Sequence, residues 1–126
     1  MVRRRVDGLV KHTLRIDGWH PTLLNAMLWK HWRVVSKLKK TDETRIVVEC
    51  RNQRIPNATG KRRVILTWVM ASRSKPIDAD APWKNLLDGL VTAGALKDDN
   101  LQWCELVGPV LERGPVKGIR VELEDI

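Results

Sequence analysis

The chain contains neither phenylalanine nor tyrosine, and only two cysteines. Thiols as far apart as Cys50 and Cys104 do not supply a zinc cluster, and nothing around them suggests a disulfide framework. They read as core thiols of a reducing compartment. His12, His20 and His31 lack the paired spacing of a metal site and read as structural or surface groups. No apolar stretch approaches the roughly 20 residues needed to span a bilayer. The start, Met1 to Arg5, is basic but lacks the apolar core of a signal peptide behind it. Repeats and low-complexity segments are absent as well. These absences leave the expectation of a cytoplasmic protein with no membrane partner and no organic cofactor.

What is present is charge, unevenly placed. At 126 residues the chain makes one domain over 1–126, with residues 1–8 read as a flexible basic arm. Its net charge is +8, which points to a polyanionic partner. Residues 1–77 carry 18 Lys/Arg against 5 Asp/Glu, whereas residues 78–126 carry 5 against 10. The simplest reading is a basic half that holds phosphates and an acidic half that holds metal. The alternative is a solvated charge bias with no site.

Hydrophobic periodicity predicts a strand over residues 9–16 and a turn at Asp17-Gly18, then a loop from Trp19 to Thr22. Residues 24–38 read as helix. Leu28, Trp32, Val35 and Leu38 mark an apolar side, and Lys30, Arg33, Lys37 and Lys40 a basic one. A second helical pattern runs to about Gln53, and whether 24–53 is one helix or two stays open. Residues 63–70 form the strongest strand, with apolar residues on both faces, which predicts cover on both sides. Asp80 is placed to cap a helix, with Pro82 in its first turn and an apolar stripe of Trp83, Leu86, Leu87, Leu90 and Val91 ending at Gly94. A short strand over 103–107 and an alternating one over 118–124 follow. The sum is an α/β (α+β) domain, a small mixed sheet covered by two to three helices.

The chemistry concentrates in residues 78–99. Asp78 and Asp80, two apart in an extended exit segment, point the same way and can share a metal. Lys84 and Asp88 continue the series at four-residue spacing, with Asp88 reading as the partner of Lys84. Asp98-Asp99 follows the return loop, which can bring one of them back. Carboxylates in this density are the ligand set of a hard divalent cation, and beside phosphate they point to a Mg²⁺-dependent nuclease.

The stretch Asp78-Ala79-Asp80-Ala81-Pro82-Trp83-Lys84-Asn85-Leu86-Leu87-Asp88-Gly89-Leu90, with Gly94 and Leu96-Lys97-Asp98-Asp99, resembles the RusA-like Holliday-junction resolvases. The spacing agrees throughout, except that Ala81 stands where the family has Asn. Trp19-His20-Pro21-Thr22 with Asn25 resembles the family's opening loop, and Lys117-Gly118-Ile119 its closing strand. The resemblance implies a homodimeric endodeoxyribonuclease of phages and bacteria acting on four-way junctions. It implies Mg²⁺ (Mn²⁺ as substitute) on Asp78, Asp80 and Asp99, with Asp98 a further candidate, and Lys84 as the basic catalytic group. Candidate DNA contacts are Lys30, Arg33, Lys37 and Lys40, and a second path along Lys61, Arg62, Arg63, Arg73 and Lys75. Trp68 and Trp83 fit core positions, and Trp19 is the ring placed to stack on a base. A non-catalytic DNA binder and a flap or Y-fork nuclease are the rival readings.

Overall fold

The computed structural model describes residues 10–71 and 76–126; the basic segment 1–8 and the candidate contacts Arg73 and Lys75 lie outside them. Four strands, β1 (Val10–Asp17), β2 (Arg62–Ala71), β3 (Cys104–Gly114) and β4 (Gly118–Asp125), form one sheet in the order β1-β4-β2-β3. β4 is antiparallel to both neighbours and β3 is parallel to β2. Three helices, α1 (Leu24–Met27), α2 (Trp32–Asn52) and α3 (Trp83–Thr92), complete the α+β fold expected from the sequence. No described helix is long and apolar enough to cross a membrane.

From β1 to β2, and again from β2 to β3, the chain steps the same way across the sheet. Right-handed crossovers therefore lay α2 and α3 on one face. There Val64, Leu66, Trp68 and Met70 of β2 join Leu14, Ile16, Ile119, Val121 and Leu123 in a core with Ile46, Leu86 and Leu90. The prediction that β2 is covered on both sides fails for this reason. Ile65 and Val69 on the other face are only half-buried, with Glu122 and Glu112 as cross-strand neighbours. An ion-pair ladder occupies that face: Lys11–Glu122 at 2.9 Å, Arg63–Glu124 at 3.1 Å and Arg120–Glu112 at 3.3 Å. Cys50 and Cys104 are buried free thiols, and burial pushes Cys50 up to about 11. His20 stacks on Trp68 at 4.1 Å and bonds through Nε2 to the carbonyls of Val69 and Gly118. Burial holds its pKa below the ordinary value.

The stretch 24–53 holds two helices, with the break between Met27 and Trp32. His31 caps the new helix, its Nδ1 accepting from the Arg33 N–H at 3.2 Å. Through Lys39–Asp42 the helix continues, and the Thr41 hydroxyl donates back to the Lys37 carbonyl at 2.9 Å. α2 spans 21 residues and α3 only 10, roughly 31 Å against 15 Å at 1.5 Å per residue. Its first turns therefore overhang. The buried residues of α2 are Asp42, Ile46 and Cys50, and the predicted apolar side at Leu28 and Trp32 faces outward, both exposed.

β3 is eleven residues long instead of five. The strand runs on through Gly108-Pro109 by way of a bulge. Ile65 pairs with Val107, Thr67 with Val110, and Gly108 takes φ +102. One displaced residue lets pairing resume beyond the proline.

α3 starts after Pro82 and ends, as expected, at Gly94 with φ +83. It meets α2 where Gly89 faces Ile46; a Cβ on Gly89 would lie 2.6 Å from Ile46 Cδ1. A helical Gly→Ala change ordinarily stabilises by about 1 kcal/mol. Gly89→Ala is expected to destabilise instead, by roughly 1–3 kcal/mol of overpacking. At Gly60 a Cβ meets nothing within 4 Å, and Gly60→Ala should leave the urea midpoint nearly unchanged. Equilibrium urea unfolding of both variants checks the pair.

Candidate metal and phosphate site

One carboxylate organises the helical side. Asp42 is 4 % exposed, and its Oδ2 accepts from the Thr22 N–H at 2.7 Å and from Asn85 Nδ2 at 2.8 Å. The Leu24 N–H in turn donates to the Ala81 carbonyl at 2.9 Å. The loop after β1, the middle of α2, the segment before α3 and α3 itself are thereby tied together. These bonds connect the stretch 19–25 to the stretch 78–90. Asn85, 2 % exposed, also places Nδ2 3.6 Å from Met27 Sδ. Its Oδ1 is buried without a hydrogen-bond partner.

Asn85 lines a concavity of about 300 Å³ together with Glu43, Asp88, Thr92, Asp98 and Asp99, and Lys39 at its edge. Lys84 Nζ sits 3.4 Å from Asp88 Oδ2, the i, i+4 pair expected from the spacing. Asp98 is engaged in its own turn, with Oδ1 accepting from the Asp99 N–H at 2.8 Å and Oδ2 from Asn100 Nδ2 at 3.4 Å. That local role is ordinary Asx-turn chemistry. The return loop does bring the pair back to α3, at its middle and second half.

Asp78 and Asp80 are placed differently from the expectation. Both are exposed, in a segment closed by the Ala81 N–H on the Asp78 carbonyl at 3.1 Å. This is a turn, so the extended-chain argument for side chains pointing the same way does not apply. Asp80 does not cap α3 either. Pro82 occupies the cap position without a side-chain bond, because the turn closes before the helix begins. The expected i, i+4, i+8 stack is therefore reduced to Lys84 and Asp88. Asp78 and Asp80 are not among the residues lining the concavity of Asp88, Asp98 and Asp99.

Four of the residues lining the concavity, Glu43, Asp88, Asp98 and Asp99, carry the hard oxygen donors that suit Mg²⁺. Convergence is less complete. Among the described residues, no three His, Cys, Asp or Glu side chains gather closely enough to hold a metal ion.

The basic residues divide sharply. Lys30, Arg33, Lys37 and Lys40 are exposed on the overhanging start of α2 and the turn before it. Arg62 is 2 % exposed and spends its donors internally, on Asp125 at 2.7 Å and on the carbonyls of Pro56 and Ala95 at 3.0 and 2.9 Å. It is a structural residue and is removed from the DNA-contact set. Arg63 is paired with Glu124 and Glu105 on the helix-free face of the sheet. Lys61 remains exposed. Trp19 is half-buried against the core, with the Arg45 guanidinium 5.7 Å from its ring.

Sequence reasoning missed Asp42, Glu43 and Asn85. Asp42 left a signal: it falls in step with Ile46 and Cys50, where a carboxylate must be buried. Arg62→Ala is expected to destabilise by about 1–3 kcal/mol, chiefly by leaving the Pro56 and Ala95 carbonyls without this donor. DNA affinity of the folded variant should change less than twofold, measured by urea unfolding and fluorescence anisotropy.

Among known proteins, no family model matches this chain, and no curated protein does.

Proposed function

We propose that the protein is a metal-dependent endodeoxyribonuclease that hydrolyses phosphodiester bonds in branched DNA, with four-way junctions as the leading substrate. The observation that carries the reading is the concavity on α3. Four carboxylates line it together with Asn85, with the Lys84–Asp88 pair at its side and the cationic start of α2 nearby. Hard oxygen donors beside a basic surface are what a phosphate-cleaving site requires.

Of the acids that would hold Mg²⁺, Asp99 lines the concavity while Asp78 and Asp80 lie in the turn before α3. The ion when bound would neutralise charge on the phosphate. The chain's own residues do the remainder. Lys39 and the cations of α2 bring the backbone to the concavity. Lys84, oriented by Asp88, is set to stabilise charge developing as water attacks phosphorus and the 3′-oxygen departs. Two such sites on a C₂ dimer would cut strands of like polarity symmetrically.

A DNA-binding protein without cleavage is the second reading. The separation of Asp78 and Asp80 from the concavity favours it, as does Ala81. A Mg²⁺ titration decides, since a pure binder cuts junction, fork and linear duplex at no metal concentration.

Under the nuclease reading, Asp99→Asn, Asp80→Asn and Asp78→Asn each abolish cutting while folding and junction binding persist. Asp88→Asn costs far less. Lys84→Ala should slow single-turnover cleavage by roughly 10²–10³ with affinity little changed. If Lys84 serves only its ion pair with Asp88, the loss is about 0.3–0.5 kcal/mol of stability and no rate.

Calcium should support binding without cutting, because it fits the oxygen site but with looser geometry. Binding should weaken steeply with salt as counterions are released. Replacing Lys30, Arg33 and Lys37 together by alanine should flatten that dependence by up to about three charges, and near-normal cutting should return at saturating protein. An unchanged slope places the DNA path elsewhere.

A further inference from the structure

The overhang of α2 leaves a second concavity, about 420 Å³, between α1, the first turns of α2 and the start of α3. Leu28, Trp32 and Val35 give it apolar walls, and Lys30, Lys39 and Lys84 line it as well. Among the described residues, no carboxylate does. Trp32 is 66 % exposed and the adjacent Trp29 94 %, although large apolar rings are ordinarily withdrawn from water. The Arg33 guanidinium lies 5.3 Å from the Trp32 ring, and His31 tilts against it at 5.6 Å.

We propose that this groove takes an unpaired nucleotide of single-stranded DNA, the base against Trp32 and its phosphates among the three lysines. The inference rests on the DNA-binding half of the function proposed above. A flat ring set among cations is the pattern by which strands are bound without sequence preference, since every base offers a π-face and every linkage a negative charge. The volume lies in the ordinary range for a small-ligand site. Self-association through this face is disfavoured by charge, because a two-fold contact sets each patch against its own copy and would bring lysines onto lysines.

The position has a consequence for the neighbouring site. Lys39 lines both concavities, and Lys84 lines this one while pairing with Asp88, which lines the other. A strand whose unpaired base enters the groove therefore carries an adjacent phosphate toward the acidic residues. Duplex has no free base to insert, so the groove selects for the open strand at a branch point.

The test is fluorescence anisotropy of a labelled oligothymidylate and of a labelled blunt duplex, in EDTA so that no cleavage intervenes. Trp32→Ala should weaken oligothymidylate binding by about 10-fold or more, while Trp32→Phe stays within about threefold and duplex affinity within about twofold. Equal losses on strand and duplex, or none on the strand, overturn the proposal. Sedimentation of the same variants reads the competing occupant: a Trp32→Ala protein that dissociates into monomers with strand affinity intact makes the groove a subunit interface. Junction cleavage in Mg²⁺, measured separately, keeps the two readings apart. Wild-type protein that binds the strand through Trp32 but cuts nothing upholds the groove and removes the nuclease. Protein that cuts junctions but binds the strand independently of Trp32 does the reverse.

Discussion

The buried carboxylate of Asp42 is the interaction on which the helical side depends. A carboxylate can only accept hydrogen bonds, so the Asn85 amide facing it must present its nitrogen. The oxygen of that amide is thereby fixed on the other side of the group, without a partner. The same oxygen of Asp42 also holds the Thr22 N–H. Loss of a buried acceptor of this kind strands two donors at once, each costing about 1–3 kcal/mol. Fold and site are thus joined at one atom, which accounts for a charged group in a helix phase otherwise reserved for Ile46 and Cys50.

The two faces of the sheet divide the work. One carries α2 and α3, the apolar core and the acidic concavity. The other carries paired charges, whose energetic value in water is small and falls with salt. Much of the basic character that first suggests a polyanion partner is consumed structurally, by Arg62 in the interior and Arg63 and Arg120 in the ladder. Among the described residues, the exposed cations Lys30, Arg33, Lys37, Lys39 and Lys40 cluster where α2 outruns α3.

The sheet strands and α3 were legible because their signals are local: alternation over 118–124, the apolar stripe of Trp83 to Val91, a glycine where the backbone turns left-handed. Other features were not. The length of β3 depends on a bulge opposite Ile65–Thr67. The exposure of Leu28 and Trp32 depends on the relative lengths of α2 and α3, which periodicity cannot report. Asp80 had the composition of a cap, but the Asp78–Ala81 turn closes one residue too early for it. For the acidic residues, spacing was informative about Lys84 and Asp88, which share one helix. The two-residue spacing of Asp78 and Asp80 was read as extended chain, whereas the bond from the Ala81 N–H to the Asp78 carbonyl makes it a turn. Glu43 is contributed by α2, some forty residues away from its neighbours in the concavity, and no pattern in 78–99 could have named it.

β4 lies between β1 and β2, so neither of those strands touches the other, and β1 has no other neighbour. Val10 pairs with Asp125 and Arg62 with that same residue. Until residues 118–125 are in place, the first strand has nothing to zip onto, and the sheet is a two-stranded ribbon of β2 and β3 under its helices. Assembly is accordingly a late, long-range closure with a high contact order, which predisposes the chain to slow folding. A ribosome still holding that segment would carry a chain with both inner sheet edges open, available to any passing strand.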